Sequence, residues 1–259
     1  MRIASIGDSF TEGVGDELPD GSVRGWADLV AAGLGAGLDE PVDYVNVAIR
    51  GKLIDPIVHD QLEAVLALDP KPTLITFNGG GNDMMRPGFN LERIMGLVER
   101  TIRRCDQEGV ELLMLSGADP TDRLPRGSMM SKRGDIYLDA TDELLNRRPQ
   151  QRFVDNWSDE ELRRAPYWSP DRLHLNALGH SRVAARVLTE LGVRTPLPTA
   201  ADDDIAKSGP MVEAKYYSTH VLPWLGRRIL RKSSGDGRTA KFPTWTRMPA
   251  GDEPAHGDA

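Results

Sequence analysis

The sequence predicts an α/β protein: a three-layer α/β/α sandwich built on a central five-stranded parallel sheet. Short apolar, β-branched runs alternate five times with segments whose apolar residues recur at helical spacing. Several of these runs stop abruptly in a cluster of Gly, Asn, Asp or Ser before the next helix begins, as strands do at a ligand-facing sheet edge. Connections of right-handed β-α-β type then place helices on both faces of the sheet. A chain of 259 residues can bury the core this requires.

The first strand begins at Ile3 and breaks at Gly7-Asp8-Ser9, and Trp26, Leu29, Val30 and Leu34 mark a helix over 25–38. Val42 to Val47 is the second strand, followed by the Asn46 to Gly51 junction and a helix with Leu53, Ile57, Leu62 and Val65 on one face. Asp69-Pro70-Lys71-Pro72 ends that helix, since proline lacks the donor a helix interior needs. Thr73 to Phe77 is the third strand and runs into Asn78-Gly79-Gly80-Gly81-Asn82-Asp83. A helix carrying Leu91, Ile94, Met95, Val98 and Ile102 stops at Gly109 before the fourth strand, Glu111 to Leu115. Pro, Gly, Asp and Arg dominate 118–133, which reads as a long loop. A helix over 136–145, a fifth strand at 152–155 and an aromatic stretch with Trp157, Tyr167 and Trp168 follow. Asn176 then caps a helix bearing Leu178, Val183, Val187 and Leu191.

Composition narrows the function. A hydrophobic fraction of 39%, a charged fraction of 27% and a net charge of −7 describe a globular protein with no general attraction to nucleic acid. One cysteine, Cys105, excludes an intrachain disulfide, and its place in an apolar pattern predicts a buried thiol. No apolar run approaches a bilayer span, and Met1 leads almost at once into a strand, so the expected location is the cytoplasm. His59, His180, His220 and His256 lack partners at metal-ligand spacing, so no metal is expected. Gly79-Gly80-Gly81 lacks the Lys-Ser or Lys-Thr of a nucleotide loop, and no cofactor is expected.

The junction residues fit acyl transfer, which needs a nucleophile, a base and donors aimed at a developing oxyanion. Ser9 is the candidate nucleophile. Asp171 precedes His174 by three residues, so one turn lets the carboxylate bond to the imidazole and fix its tautomer. Gly51 can present an amide without a side chain in the way, and Asn82 can offer its side-chain amide beside the Ser9 N–H. Asp8 and Asp83 are read as bonding local backbone amides, and Trp157, Tyr167 and Trp168 stand evenly between pocket wall and core.

Taken together, Gly7-Asp8-Ser9-Phe10-Thr11-Glu12-Gly13, Gly51, Gly80-Gly81-Asn82-Asp83 and Asp171-Arg172-Leu173-His174 resemble, in order and placement, the four blocks of the SGNH hydrolase superfamily, the GDSL lipase/esterase family. Phe10 stands where the family name has leucine, an apolar exchange that does not touch the chemistry. The resemblance covers about 1–191 and implies a flavodoxin-like strand order. It implies Ser9 as nucleophile, His174 as general base and acid, Asp171 as its orienting partner, and Ser9, Gly51 and Asn82 as the oxyanion hole. The activity so implied is a serine esterase acting on a small-molecule ester, with a short acyl group expected. An O-acyltransferase using the same site and a noncatalytic carbohydrate- or lipid-binding module stay open as alternatives. Residues 1–195 form the expected hydrolase domain, and 196–259 a linker, a helix over 211–230 and a mobile tail. The basic stretch Arg227 to Lys241 reads more readily as a solvated tail than as a contact for anionic lipid or a protein.

Overall fold

The computed structural model of the chain describes residues 1–124, 127–201, 219 and 234–248. Its sheet has the order β5-β4-β3-β1-β2-β6. The strands are β1 (Arg2–Ile6), β2 (Val42–Asn46), β3 (Leu74–Phe77), β4 (Glu111–Leu115), β5 (Arg152–Val154) and β6 (Phe242–Met248). The first five pair in parallel, as the β-α alternation requires.

Alternation along the strands builds two cores. Ile3, Tyr44, Leu74 and Leu113 point to one face, where α2 (Trp26–Leu38) and α8 (Ala177–Glu190) cover them with Trp26, Val30, Leu34, Val183 and Val187. Ala4, Ile6, Val45, Ile75 and Leu112 point to the other. There α3 (Ile54–Pro56), α4 (Leu62–Leu66) and α6 (Leu91–Glu108) supply Ile54, Leu62, Ile94, Val98 and Ile102. Cys105 lies in this second core, and burial pushes its thiol up to about 12, so it is a packing residue. A π turn, Ile57–Gln61, joins α3 to α4 and turns Gln61 inward.

Two expectations are corrected. The sheet has six strands, not five parallel ones: β6, from the segment read as a mobile tail, pairs antiparallel with β2, matching Val42 with Met248 and Tyr44 with Thr246. Pro243 fits in β6 because that strand is paired on one side only, and an edge strand tolerates a residue without an N–H. The second correction concerns 118–133, where only a short 3₁₀ turn (Thr121–Arg123) precedes α7 (Gly127–Arg147). Packing decides this: Met130 joins Met84 and Trp157 in a third cluster, and Gly134 lies so near the Trp157 ring that a Cβ would come within 2.0 Å of it. Of the helix expected over 211–230 only residue 219 is described, and 227–233 of the basic stretch lie outside the described residues. No helix among the described residues is long and apolar enough to cross a membrane.

Candidate active site

Ser9 opens α1 (Ser9–Glu12) directly after β1, and Asp8 caps it by accepting from the Phe10 amide at 3.1 Å. The turn between strand and helix is held by a residue the sequence did not single out. Gln61 accepts from the Gly7 N–H at 2.8 Å and donates to the Gly7 carbonyl at 2.9 Å, so one side-chain amide satisfies both backbone groups. Beyond α1 the chain turns at Gly15, with φ 102, against the loop that carries the histidine. A Cβ on Gly15 would fall 2.0 Å from the Leu175 carbonyl oxygen and 3.2 Å from the His174 Cβ, so glycine is what allows the segment after Ser9 to lie against His174.

His174 Nδ1 donates to Asp171 Oδ2 at 2.6 Å. The other carboxylate oxygen, Oδ1, accepts from the Leu173 and His174 amides, each at 3.0 Å, and from the Ser169 hydroxyl at 2.6 Å. Burial pushes this carboxyl up, but the bond from His174, its charge and the remaining donors outweigh burial and hold Asp171 well below the usual carboxylate range. Asp171 is therefore ionised at neutral pH and fixes the imidazole with its Nδ1 protonated.

Gly51 follows β2 with φ 76, a left-handed conformation open to glycine. Its loop is fastened by Glu12, which sequence reasoning also passed over: the carboxylate accepts from the Arg50 amide at 2.6 Å and from the guanidinium at 2.9 and 2.6 Å. Asn82 sits in the short helix α5 (Gly81–Met84), and its Nδ2 donates to Asp8 Oδ2 at 2.9 Å and to the Lys52 carbonyl at 3.0 Å. The reading of Asp8 as a purely local cap is thus incomplete. That of Asp83 is incomplete as well: besides its own backbone amide it accepts, through Oδ2, from Ile54 N, 29 residues away. Burial pushes Asp8 up to about 6, against the opposing pull of the Phe10 amide and the His174 charge.

All five candidate residues, Ser9, Gly51, Asn82, Asp171 and His174, line one cavity of about 1220 Å³. Met84, Met85, Met114, Met129 and Met130 contribute to its walls. Trp157 and Trp168 line it too, while Tyr167 is core, its hydroxyl bonded to Glu161 at 2.6 Å. His180, fully buried beside it, accepts from Trp26 N and bonds the Val14 carbonyl, and burial lowers it to about 4. Among the described residues no group of three or more His, Cys, Asp or Glu could hold a metal ion.

Residues 5–182 match the model of the GDSL-like Lipase/Acylhydrolase family. Solved structures of similar shape include a lipase, Lip_vut3, from a goat rumen metagenome, at 18% identity and TM-score 0.61, covering 75% of this chain and 98% of that one. A variant of Axe2, an acetyl-xylooligosaccharide esterase from Geobacillus, matches at 20% identity and TM-score 0.60, covering 75% and 97%. The esterase EstA from Pseudoalteromonas matches at 15% identity and TM-score 0.56, covering 74% and 96%. No curated protein sequence matches the chain. With the family match spanning most of the α/β sandwich and its four motif blocks gathered at one cavity, the chain belongs to the GDSL-like Lipase/Acylhydrolase family and is a hydrolase of ester bonds.

Proposed function

We propose that the protein is a serine esterase working through Ser9, His174 and Asp171 and an acyl-enzyme intermediate. The observation that carries this reading is the 2.6 Å bond between His174 Nδ1 and an ionised Asp171, in a cavity that Ser9 also lines. Bonded in this way, the ring keeps Nε2 as its basic nitrogen. In the proposed sequence Nε2 takes the Ser9 proton as Oγ adds to the ester carbonyl, then delivers it to the departing alkoxide. Water, activated by the same nitrogen, releases the acid.

The oxyanion is met by the Ser9 amide, in the first turn of α1 where backbone N–H groups lack intrahelical acceptors, together with the Gly51 amide and Asn82. Both Asn82 hydrogens already have acceptors in Asp8 and Lys52, so its donation to the oxyanion is a shared one. Support also comes from the Axe2 comparison, in which a serine-to-alanine and a histidine-to-alanine variant are each described as catalytic mutants. The methionine-lined wall favours an apolar acyl group, and the cavity volume accommodates chains longer than acetyl.

Purified protein assayed on p-nitrophenyl esters from acetate to long acyl chains, with Ser9→Ala alongside, tests the reading. Hydrolysis is expected from the wild type alone. Equal hydrolysis by Ser9→Ala removes the nucleophile, and a wild type that binds but never turns over any ester in the series supports a noncatalytic module instead. Release of the acyl group only when an alcohol is added identifies an acyltransferase.

A further inference from the structure

The family match ends at residue 182, yet residues from far beyond it stand at the catalytic cavity: Ser234 and Arg238 line it beside Arg50 and Gly51. Two contacts bind this late segment to the parts of the site that hold the nucleophile and the oxyanion loop.

The first is Lys241, just ahead of β6. Its ammonium donates to the Glu12 carbonyl at 2.7 Å, the Val23 carbonyl at 3.2 Å and Asp28 Oδ2 at 2.6 Å. Three acceptors meet its three hydrogens, and its side chain is only 13% exposed, which marks a seated group rather than a solvated surface lysine. Asp28 passes the connection onward, since its Oδ1 accepts from the Tyr44 hydroxyl, which in turn accepts from Asn46 Nδ2 at 2.9 Å. Asn46 also donates to the Thr11 carbonyl and accepts from the Ala48 amide, so α1 and the chain leading to Gly51 are gripped by one network. The Glu12 that Lys241 bonds through its carbonyl is the same residue whose carboxylate holds Arg50.

The second contact is the turn at 234–237. Gly235 is buried, and a Cβ there would lie 2.2 Å from the Arg50 carbonyl oxygen and 2.8 Å from Ile49 Cγ2. The turn thus rests directly on the peptide group that joins Arg50 to Gly51 and carries the Gly51 N–H.

We propose that the segment 234–248 is a clasp that positions the oxyanion loop against the nucleophile helix, with Lys241 and Gly235 as positioning residues. This rests on the reading of Ser9, Gly51 and Asn82 as the catalytic constellation. Lys241 and Gly235 act from outside the substrate: they fix where the Gly51 amide lies relative to Ser9, so their loss weakens transition-state stabilisation more than substrate binding.

The test compares Lys241→Met, Gly235→Ala, Thr244→Ala and Ser9→Ala in the full chain on p-nitrophenyl acetate. A fluorophosphonate that labels the active serine counts competent sites, so that kcat per labelled site is independent of any unfolded fraction. Thr244 is exposed on β6 and serves as the control. Lys241→Met and Gly235→Ala are expected to lose about tenfold in kcat per labelled site, part of the ~100-fold or more attached to one oxyanion donor. KM should stay within about twofold, and Thr244→Ala should match the wild type. Wild-type kcat per labelled site in folded Lys241→Met and Gly235→Ala overturns the clasp while an inert Ser9→Ala leaves the esterase reading standing. Activity that survives Ser9→Ala overturns both. Should Lys241→Met not fold, Gly235→Ala alone decides, because it leaves the ammonium and its three acceptors in place.

Discussion

Asp8 and Asn82, 74 residues apart, are joined by a 2.9 Å hydrogen bond from the amide nitrogen of Asn82 to Oδ2 of Asp8. The turn that carries Ser9 and the third-strand loop are therefore held at a fixed separation by a buried carboxyl that burial has raised to about 6. Between its ordinary value of 3.8 and about 6 the folded state holds this proton and the unfolded chain does not. Stability therefore falls as pH rises through that window, by on the order of 3 kcal/mol. Asp8→Asn should remove this decline, as read by urea unfolding at several pH values; an unchanged slope would show that Asp8 is not the group responsible.

His180 pulls the other way. With its folded value at about 4 and its ordinary value at 6.5, the unfolded chain binds the proton first, so stability rises with pH between these values and is lost on acidification. His180→Gln should flatten that rise, by on the order of 3 kcal/mol across the window. Because the Asp8 and His180 windows overlap, the wild type should show a shallow profile, and the two variants should tilt it in opposite directions.

Asp171 is held low by His174, so Asp171→Asn should leave the fold in place and reduce kcat on the order of 1,000- to 10,000-fold by freeing the imidazole tautomer. A loss under tenfold would show that the imidazole is oriented without it. The stability contributed by this carboxylate is present above 3.8 and is lost as pH falls towards its lower folded value.

Gln61→Leu would leave the buried Gly7 N–H without a partner and its carbonyl with only the Ile49 amide, at 3.3 Å. A cost of about 1–3 kcal/mol in unfolding free energy is expected, with activity lost alongside, since Gly7 precedes Ser9 by two residues. Wild-type stability in this variant would mean that the Gly7 groups find other partners.

Filling the methionine wall should change acyl-chain preference. Met130 lies 8% exposed on α7 and lines the cavity, so Met130→Trp should lower kcat/KM for long p-nitrophenyl esters by about tenfold relative to acetate. A uniform loss at every chain length would place the acyl group elsewhere.

Much of this was readable in the sequence because its signals are local. Asn176 caps α8 by accepting from the Leu178 and Gly179 amides, and Asp171 reaches His174 within one turn. The five parallel strands followed from runs bounded by glycine and asparagine. What stayed hidden depends on partners distant in the chain. Gln61 meets Gly7 across 54 residues from a π turn that no periodicity announces, and Lys241 meets Asp28 across 213. The start of α7 was masked by Gly127, Ser128 and Gly134, which lower helix propensity but allow the close approaches to Thr121 and Trp157. β6 was masked by its proline.

The pairing of β6 with β2 also bears on how the protein is made. Arg247 of β6 bonds to Asp43 of β2 across 204 residues, so this edge closes through one of the longest loops in the chain. During synthesis β1 and β2 emerge before β6, and the open side of β2 carries unpaired backbone groups until 242–248 leave the ribosome. A chain that stops short of β6 carries Ser9 and lacks the finished edge beside it. Emergence of β6, rather than folding of the first half, is then the event that closes this edge, and chains released before β6 would expose a strand edge suited to pairing with one another.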